Sequence, residues 1–382
     1  MTRTVLITGA RAPTALHLAR LLHDAGQRVV LADSLAHPFA ARSAAIARYV
    51  RLPAPRFDLP GYAAALRDLI GLERVDLVIP TCEEVFYLGQ IWADMPCPLF
   101  APPMARLRDA HDKYTFMMQA AAMGLDVPDT HLIRSRDDLA PLRNLAGEFV
   151  FKPVWSRFAA QILIRPKAQA LDRIMPDTTT PWIAQAFVSG QEICAYALAV
   201  HGKLTALAQY TTPYRAGRGA GTYLRPVDDP AVRHFVQTYV THTGWHGQIS
   251  FDFIRGQDGT ALPLECNPRA TSGVHFFRDG RAVSRALEGQ MISADVTTAQ
   301  TLPLAMWVYG LRPRALGRFW HDLRAADNFL SWPGDPAPSR GQWRAFAEIA
   351  AIAWRHRISL LAATTHDIEW NGPAQDTDQS AI

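Results

Sequence analysis

The sequence predicts a mixed architecture: a parallel α/β array at its N-terminus, an α+β region through its middle and a helical C-terminal region. Three observations carry this. Short apolar strands alternate with amphipathic helices over residues 5–80, the pattern of consecutive βαβ units. Around Phe251 and Glu265 the period falls to two, as in a half-buried antiparallel hairpin. Beyond residue 296, Trp307, Trp320, Trp332, Trp343 and Trp354 punctuate a mostly helical pattern. At 382 residues the chain exceeds a single compact core, so two or three domains are expected.

In chain order, Val5–Ile7 is a strand, Thr8–Pro13 its turn and Thr14–Gly26 a helix facing the core through Leu16, Ala19, Leu21 and Leu22. Arg28–Asp33 is the next strand, Tyr62–Ile70 a helix and Asp76–Pro80 a third strand. In such an array function gathers at the carboxyl ends of the strands. Glu83 and Glu84 stand at one such end, as candidates for binding a cationic group of a substrate. Gly9 and Asp33 invite a dinucleotide-binding reading, but Arg11 and Thr14 occupy the places of the second and third glycines. Arg11 would block approach to a pyrophosphate.

Pro96–Pro103 marks a change of composition and a boundary. Asp109–Met123 reads as a helix, with Lys113 in its first turn. A lysine opposes the helix dipole there unless an anion binds. Ser135 opens a further helix through a capping box with Asp138. Glu148–Pro153 is an apolar strand with Lys152 at its exit, and a buried ammonium needs a partner. A strand ending near Phe187 is broken by Gly190, and Glu192 starts a long strand through Val200. Tyr214–Thr222 is a glycine-rich loop carrying Arg215 and Arg218. Asp229–Thr243 is a helix whose stripe Val232, Phe235, Val236, Tyr239 and Val240 is core.

The hairpin that follows carries the most chemistry. Ile249, Phe251 and Phe253 alternate with Ser250 and Asp252, and Gly256, Asp258 and Gly259 supply turn residues. In the return strand Glu265 and Asn267 share a face. Pairing across the turn places Asp252 beside Glu265, an all-oxygen cluster of the kind that suits Mg²⁺. Cys266 falls on the opposite, core face. Further on, Gln342–Ala363 reads as one amphipathic helix, and the polar residues from Asn371 read as a disordered tail.

Composition narrows the function. Hydrophobic residues make up 49% and charged residues 19%, as in a folded globular protein. The net charge of +4 comes from scattered arginines without a basic run, so no nucleic-acid partner is expected. Only four lysines occur, Lys113, Lys152, Lys167 and Lys203, so a retained lysine marks a place that needs a compact ammonium. The four scattered cysteines form no C-x-x-C pair, which argues against structural zinc and a disulfide framework. The apolar run Leu302–Leu311 is too short for a membrane span and contains Pro303. A cytoplasmic protein without a membrane partner is expected.

Taken together, Asp112-Lys113, Phe151-Lys152-Pro153, Gln185-Ala186-Phe187-Val188 with Glu192, Asp252, and Glu265-Cys-Asn267-Pro-Arg269 resemble the ATP-grasp superfamily. The likeness is to its carbamoyl-phosphate-synthetase-like and D-alanine–D-alanine-ligase-like branches. It implies a Rossmann-like pre-ATP-grasp domain (1–105), an ATP-grasp domain of two subdomains (106–183 and 184–295) and a helical C-terminal region (296–382). It further implies that Lys113 and Lys152 contact ATP phosphates, Gln185–Val188 form the adenine hinge and Glu192 holds the ribose. Asp252, Glu265 and Asn267 would coordinate Mg²⁺. Arg269 would stabilise a developing acyl phosphate, with Arg215 or Arg218 assisting. One departure stands out: the loop after Lys152, Val154–Gln161, contains no glycine, leaving Ser156 and Arg157 as side-chain substitutes for phosphate-binding amides.

The activity implied is ATP-dependent joining of a small carboxylate, such as an amino acid, to an amine. A carboxylase, an acyl-phosphate synthase and a non-catalytic nucleotide-binding regulator are the alternatives. The partners are small carboxylate and amine substrates, and a homo-oligomer is left open.

Overall fold

The computed structural model describes residues 2–155, 161–215, 221–311 and 316–372. Its first sheet is built from β1 (Thr4–Thr8), β2 (Arg28–Asp33), β3 (Arg48–Arg51) and β4 (Leu77–Ile79), all parallel, in the order β3-β2-β1-β4. β1 and β4 are buried throughout, which demands the unbroken apolar runs seen in the sequence. β3 escapes sequence reading because this edge strand begins and ends with an exposed arginine and shows no alternation. Three helices accompany the sheet: α1 (Pro13–Asp24), α2 (Leu59–Glu73) and α3 (Glu84–Ile91).

The helix expected over Asp109–Met123 is divided into α4 (Met104–His111) and α5 (Lys113–Ala122). Asp112 leaves helical geometry, and its carboxylate accepts the Thr115 N–H at 2.8 Å. This cap makes Lys113 the first residue of α5. A small antiparallel sheet follows, in the order β5-β8-β6-β7: β5 (Thr130–Ile133), β6 (Phe149–Pro153), β7 (Leu163–Ile164) and β8 (Trp182–Ala186). The Ser135 cap opens the single-turn α6 (Arg136–Leu139), and Ile133, Phe149, Phe151 and Leu171 meet beneath this sheet.

The third sheet has seven strands, in the order β13-β12-β9-β10-β11-β14-β15. They are β9 (Gln191–Val200), β10 (Lys203–Arg215), β11 (Gly221–Val227), β12 (Gly247–Arg255), β13 (Ala261–Asn267), β14 (Gln300–Thr301) and β15 (Asp327–Asn328). The stripe of α7 (Pro230–Thr243) packs under β12 through Phe235 and Tyr239 against Phe251. Gly190, where the chain passes from β8 to β9, lies so close to β12 that an added Cβ would sit 2.1 Å from the Arg255 carbonyl oxygen.

The C-terminal region is not wholly helical, because β14 and β15 extend the large sheet. Its helices are α9 (Pro303–Gly310), α10 (Leu316–Ala325), α11 (Ala337–His356) and α12 (Leu360–Ala363), preceded in the chain by α8 (Gly280–Leu287). The expected Gln342–Ala363 helix is broken at Arg357, which adopts φ +54° and ends α11. α8 packs on α1 so tightly that a Cβ on Gly280 would lie 2.0 Å from the Leu21 carbonyl oxygen. Trp370 is buried among Phe86, His111 and Trp155, so the chain is packed up to the residue before the segment where the sequence suggested a tail. The remainder of that segment, from residue 373, lies outside the described residues. No helix among the described residues is long and apolar enough to cross a membrane.

Buried histidines in this core carry a testable consequence. His17 bonds through Nε2 to the Phe277 carbonyl at 2.8 Å, and burial first of all, then nearby Arg278 and Arg20, drives its pKa down to about 3. The unfolded chain takes up a proton near pH 6.5, so the folded state is favoured fully above that value and loses the contribution as pH falls from 6.5 toward 3. We expect the His17 ring to remain neutral, with hydrogen on Nε2, from pH 8 to pH 5 in ¹⁵N NMR. A midpoint above pH 5 would overturn this assignment.

Candidate active site

A cleft of about 870 Å³ opens between the small sheet and the large one. Strand alternation sets its walls. Lys152 of β6 and Gln185 of β8 face inward from one side, and Glu192, Asp252, Glu265 and Asn267 from the other. Ile162, Ile164, Ile254 and Leu264 add apolar surface at the same end, enough to flank a planar ring.

The hairpin has the register expected of it. Asp252 pairs directly with Glu265 and Ser250 with Asn267, and a bulge lies just beyond Asp252. The Asn267 amide donates to Asp252 Oδ2 at 3.3 Å. Burial pushes the Asp252 carboxyl upward, and the Glu265 charge adds to this. Burial opposes ionisation of Glu265 as well, yet Lys113, Lys152 and Arg269 outweigh it and hold this carboxyl below its ordinary value. The hairpin thus holds one carboxylate neutralised by cations and a second that still calls for positive charge.

Both lysines lie beneath this pair. Lys113, 3% exposed, is 3.7 Å from Glu265 Oε2 and donates to the Val154 carbonyl at 3.2 Å. Lys152, 4% exposed, donates to Gln185 Oε1 at 3.0 Å and to the Leu264 carbonyl at 2.9 Å. Burial lowers the pKa of Lys113, against the pull of Glu265 and Glu83, and brings Lys152 down to about 8. Two ammonium groups so close together in a dry site have a physical reason if an anion joins them.

Gln185, Ala186, Phe187 and Val188, the expected hinge, all line the cleft. The backbone N–H of Ala186 bonds to Asp129 O and that of Phe187 to Glu148 O, both at 2.8 Å, so the small sheet holds the segment rigidly. Gln185 Nε2 is buried without a hydrogen-bond partner among the described residues, a donor suited to a ligand acceptor. Glu192 is held by an ion pair with Arg215. It also lies near Cys194 and Asp252, with one ligand atom of each within 4.8 Å of the others. Burial raises the Cys194 thiol well above its usual range, so this sulfur stays protonated and is no ligand for a hard cation.

Arg269 extends from the end of β13 into the cleft. Its guanidinium donates to Asn267 Oδ1 at 3.2 Å and to the Ala270 carbonyl at 3.3 Å, and its Nε is 3.6 Å from Glu83 Oε1. Ser156, Arg157 and Arg218 lie outside the described residues.

The reading of Glu83 and Glu84 as receptors for a substrate cation is corrected. Neither lines the cleft, and they are 0% and 3% exposed. Glu84 Oε1 accepts from Thr8 Oγ1 at 2.7 Å and from the Thr81 and Cys82 N–H groups at 3.0 and 3.2 Å, tying the ends of β1 and β4 together. Glu83 faces Arg269 and accepts the Trp370 N–H at 3.4 Å. Strand-end position predicted exposure, but α3 turns both side chains inward.

Several lining residues gave no sequence signal. Arg11 enters the far end of the cleft, but it is committed to Asp33 and Asp367, so the acid that would hold a dinucleotide ribose is consumed within the protein. Thr364 and Thr365 arrive from the C-terminal segment, and Tyr210, Thr271 and Ser272 add hydroxyl groups. No local pattern marks them, because residues more than 350 positions apart meet there.

No family model matches the chain, and no curated protein matches its sequence. Solved structures do match its shape. An L-amino acid ligase from Bacillus licheniformis superimposes with TM-score 0.59 at 16% identity, covering 76% of this chain and 75% of that one. N5-carboxyaminoimidazole synthetase from Staphylococcus aureus gives 0.62 at 13% identity, with 84% and 87% covered. The biotin carboxylase domain of Hydrogenobacter thermophilus 2-oxoglutarate carboxylase, in complex with MgADP, ADP and bicarbonate, gives 0.61 at 12% identity, with 78% and 73% covered. The chain has the ATP-grasp fold. Within this fold, the cleft between the two sheets gathers Lys152, Gln185, Glu192, Asp252, Glu265, Asn267 and Arg269, while Lys113 lies outside its lining.

Proposed function

We propose that the chain is an ATP-dependent ligase that joins a small carboxylate, such as an amino acid, to an amine. One observation carries this reading: Lys152 lines the cleft beside the Asp252–Glu265 carboxylate pair, and Lys113, buried outside the lining, lies 3.7 Å from Glu265. Lys152 offers positive charge to an incoming polyanion, while Asp252, raised by burial and by Glu265, calls for a cation. The MgADP complex of the carboxylase neighbour supports a magnesium nucleotide as the missing ligand.

The donor set fits. Lys113 and Lys152 would hold phosphate oxygens, Gln185–Val188 the base and Glu192 the ribose. Asp252, Glu265 and Asn267, all oxygen donors, would hold Mg²⁺. The metal would supply charge neutralisation for the triphosphate. A carboxylate oxygen of the substrate then attacks the γ-phosphorus and the bond to the β-phosphate bridging oxygen breaks, giving an acyl phosphate and ADP. Arg269, oriented by Asn267 and by the buried Glu83, offers N–H groups to the charge that develops there. Attack by the amine nitrogen on the acyl carbon expels phosphate, the nitrogen loses its proton, and the amide remains. Among the chain's own groups, no nucleophile is needed.

The test is product release from MgATP across a panel of amino acids, small carboxylic acids and amines. ADP and phosphate, released only with particular acid–amine pairs, is the expected result. AMP and pyrophosphate would overturn the acyl-phosphate route. Phosphate release with bicarbonate as the acid would assign the chain to the carboxylase chemistry named for one of these structural neighbours.

A further inference from the structure

A second cavity, of about 900 Å³, shares no lining residue with the cleft. It lies between the segments that leave the carboxyl ends of β2 and β3 and one face of α11. That helical face is Arg344, Ala347, Glu348, Ala351, Ile352 and Arg355, at the spacing of a continuous stripe. Where a helix packed on a sheet would carry bulky residues, two alanines leave a gap. The volume is that of a small-molecule site, and the place is where parallel α/β sheets present ligands.

The hydrogen-bonding capacity left open in this groove is that of donors. Its two carboxylates are already engaged. Glu348 accepts the Ala36 and His37 N–H groups at 2.7 and 2.8 Å. Asp367 accepts from Arg11 and from Ser34 Oγ, each at 2.5 Å. By contrast, Arg344 and Arg355 make no ion pair or hydrogen bond among the described residues. Among the described residues Arg51 uses only its Nε, toward the Ser34 carbonyl at 2.8 Å. At the Arg355 end the floor is apolar and aromatic. Phe57 is 51% exposed, and its ring lies 5.2 Å from that of His366, which lies 4.4 Å from His356. Arg56, bonded to Glu369, lies 5.9 Å over the Phe57 ring, and this exposed ring shares the groove with the open guanidinium groups of Arg344 and Arg355, a platform for a planar body bearing negative charge.

We propose that this groove is a second ligand site, taking a small organic anion whose planar body rests on Phe57 and whose carboxylate or phosphate group meets Arg355 and Arg51. The assignment does not depend on the reaction proposed for the cleft.

Calorimetric titration of the full chain tests it, with phenyl phosphate, benzoate, inorganic phosphate and benzylamine as probes. Saturable one-site binding of phenyl phosphate or benzoate is expected, and which of the two binds more tightly distinguishes a phosphate from a carboxylate ligand. Arg355→Ala is expected to weaken it about tenfold, as for loss of one charge-assisted contact. Phe57→Ala should weaken the aromatic anions while leaving inorganic phosphate unchanged. Both residues are exposed, so unaltered circular dichroism is expected to show that the variants fold. Binding of neither aromatic anion, equal binding of benzylamine, binding indifferent to Arg355→Ala, or binding abolished by Lys152→Ala in the cleft would each overturn the proposal.

Discussion

Lys152→Ala is expected to lower kcat/KM for ATP by about 10²–10³, the cost of removing one preorganised donor from a water-poor site. The ammonium is 4% exposed and held by Gln185 and the Leu264 carbonyl, so it is aimed before any ligand arrives. Arginine is not expected to rescue the variant, because a planar fork overfills a position built for a compact charge. The same residue sets a pH limit. Burial brings its pKa to about 8, so the free protein loses this positive charge as pH rises through that value. The profile of kcat/KM for ATP, which reports the free enzyme, should therefore fall about tenfold per unit above pH 8. That limb should vanish in Lys152→Ala. Steady-state kinetics from pH 6 to pH 10 checks both statements. An unchanged kcat/KM in the variant would remove Lys152 from the nucleotide site.

Arg20→Ala is expected to cost about 3–5 kcal/mol of stability, the range for breaking a buried ion pair and leaving its partner behind. Arg20 is wholly buried in α1. It donates through Nε to Asp335 Oδ2 at 2.8 Å, and through its terminal nitrogens to the carbonyl oxygens of Leu330 at 3.1 Å and Asp335 at 3.0 Å. Asp335 also accepts from Ser43 Oγ at 2.6 Å and the Ala44 N–H at 2.9 Å. One guanidinium therefore fastens the segment before α11 to the first helix of the chain. Urea denaturation of the variant should show a lower midpoint with an unchanged slope. The segment from 330 onward should become sensitive to protease under conditions where the parent chain is resistant. A loss below about 1 kcal/mol would show that these contacts are replaceable by water.

Much of the cleft was readable from the chain itself. Alternation in Ile249–Phe253 and the turn residues after it set the hairpin register, so Asp252 opposite Glu265 follows from local geometry. Lys152 at the exit of an apolar strand and Lys113 at a helix start could be marked because an ammonium in such company needs an anion. The α7 stripe behaved the same way, with Val232, Phe235, Val236, Tyr239 and Val240 all buried. Errors arose where a local rule met a distant partner. The capping of α5 by Asp112 divided a helix that periodicity joined, and Arg357 ended α11 six residues before the pattern did.

Glu83 and Glu84 show the limit most clearly. A strand-end acid and a buried structural acid look alike in sequence, and only the folded chain shows Arg269 on one and Thr8 on the other. The same holds for Arg11, whose partners Asp33 and Asp367 lie 22 and 356 residues away. The sequence alone determined the strand and helix periods and the hairpin register. Those follow from side-chain direction and turn chemistry within a few residues. Only the tertiary structure decided which charges stay free, what closes the far end of the cleft, and that a second groove lies under α11. Charge neutralisation and cavity shape depend on residues brought together from across the chain, and no short-range pattern encodes them.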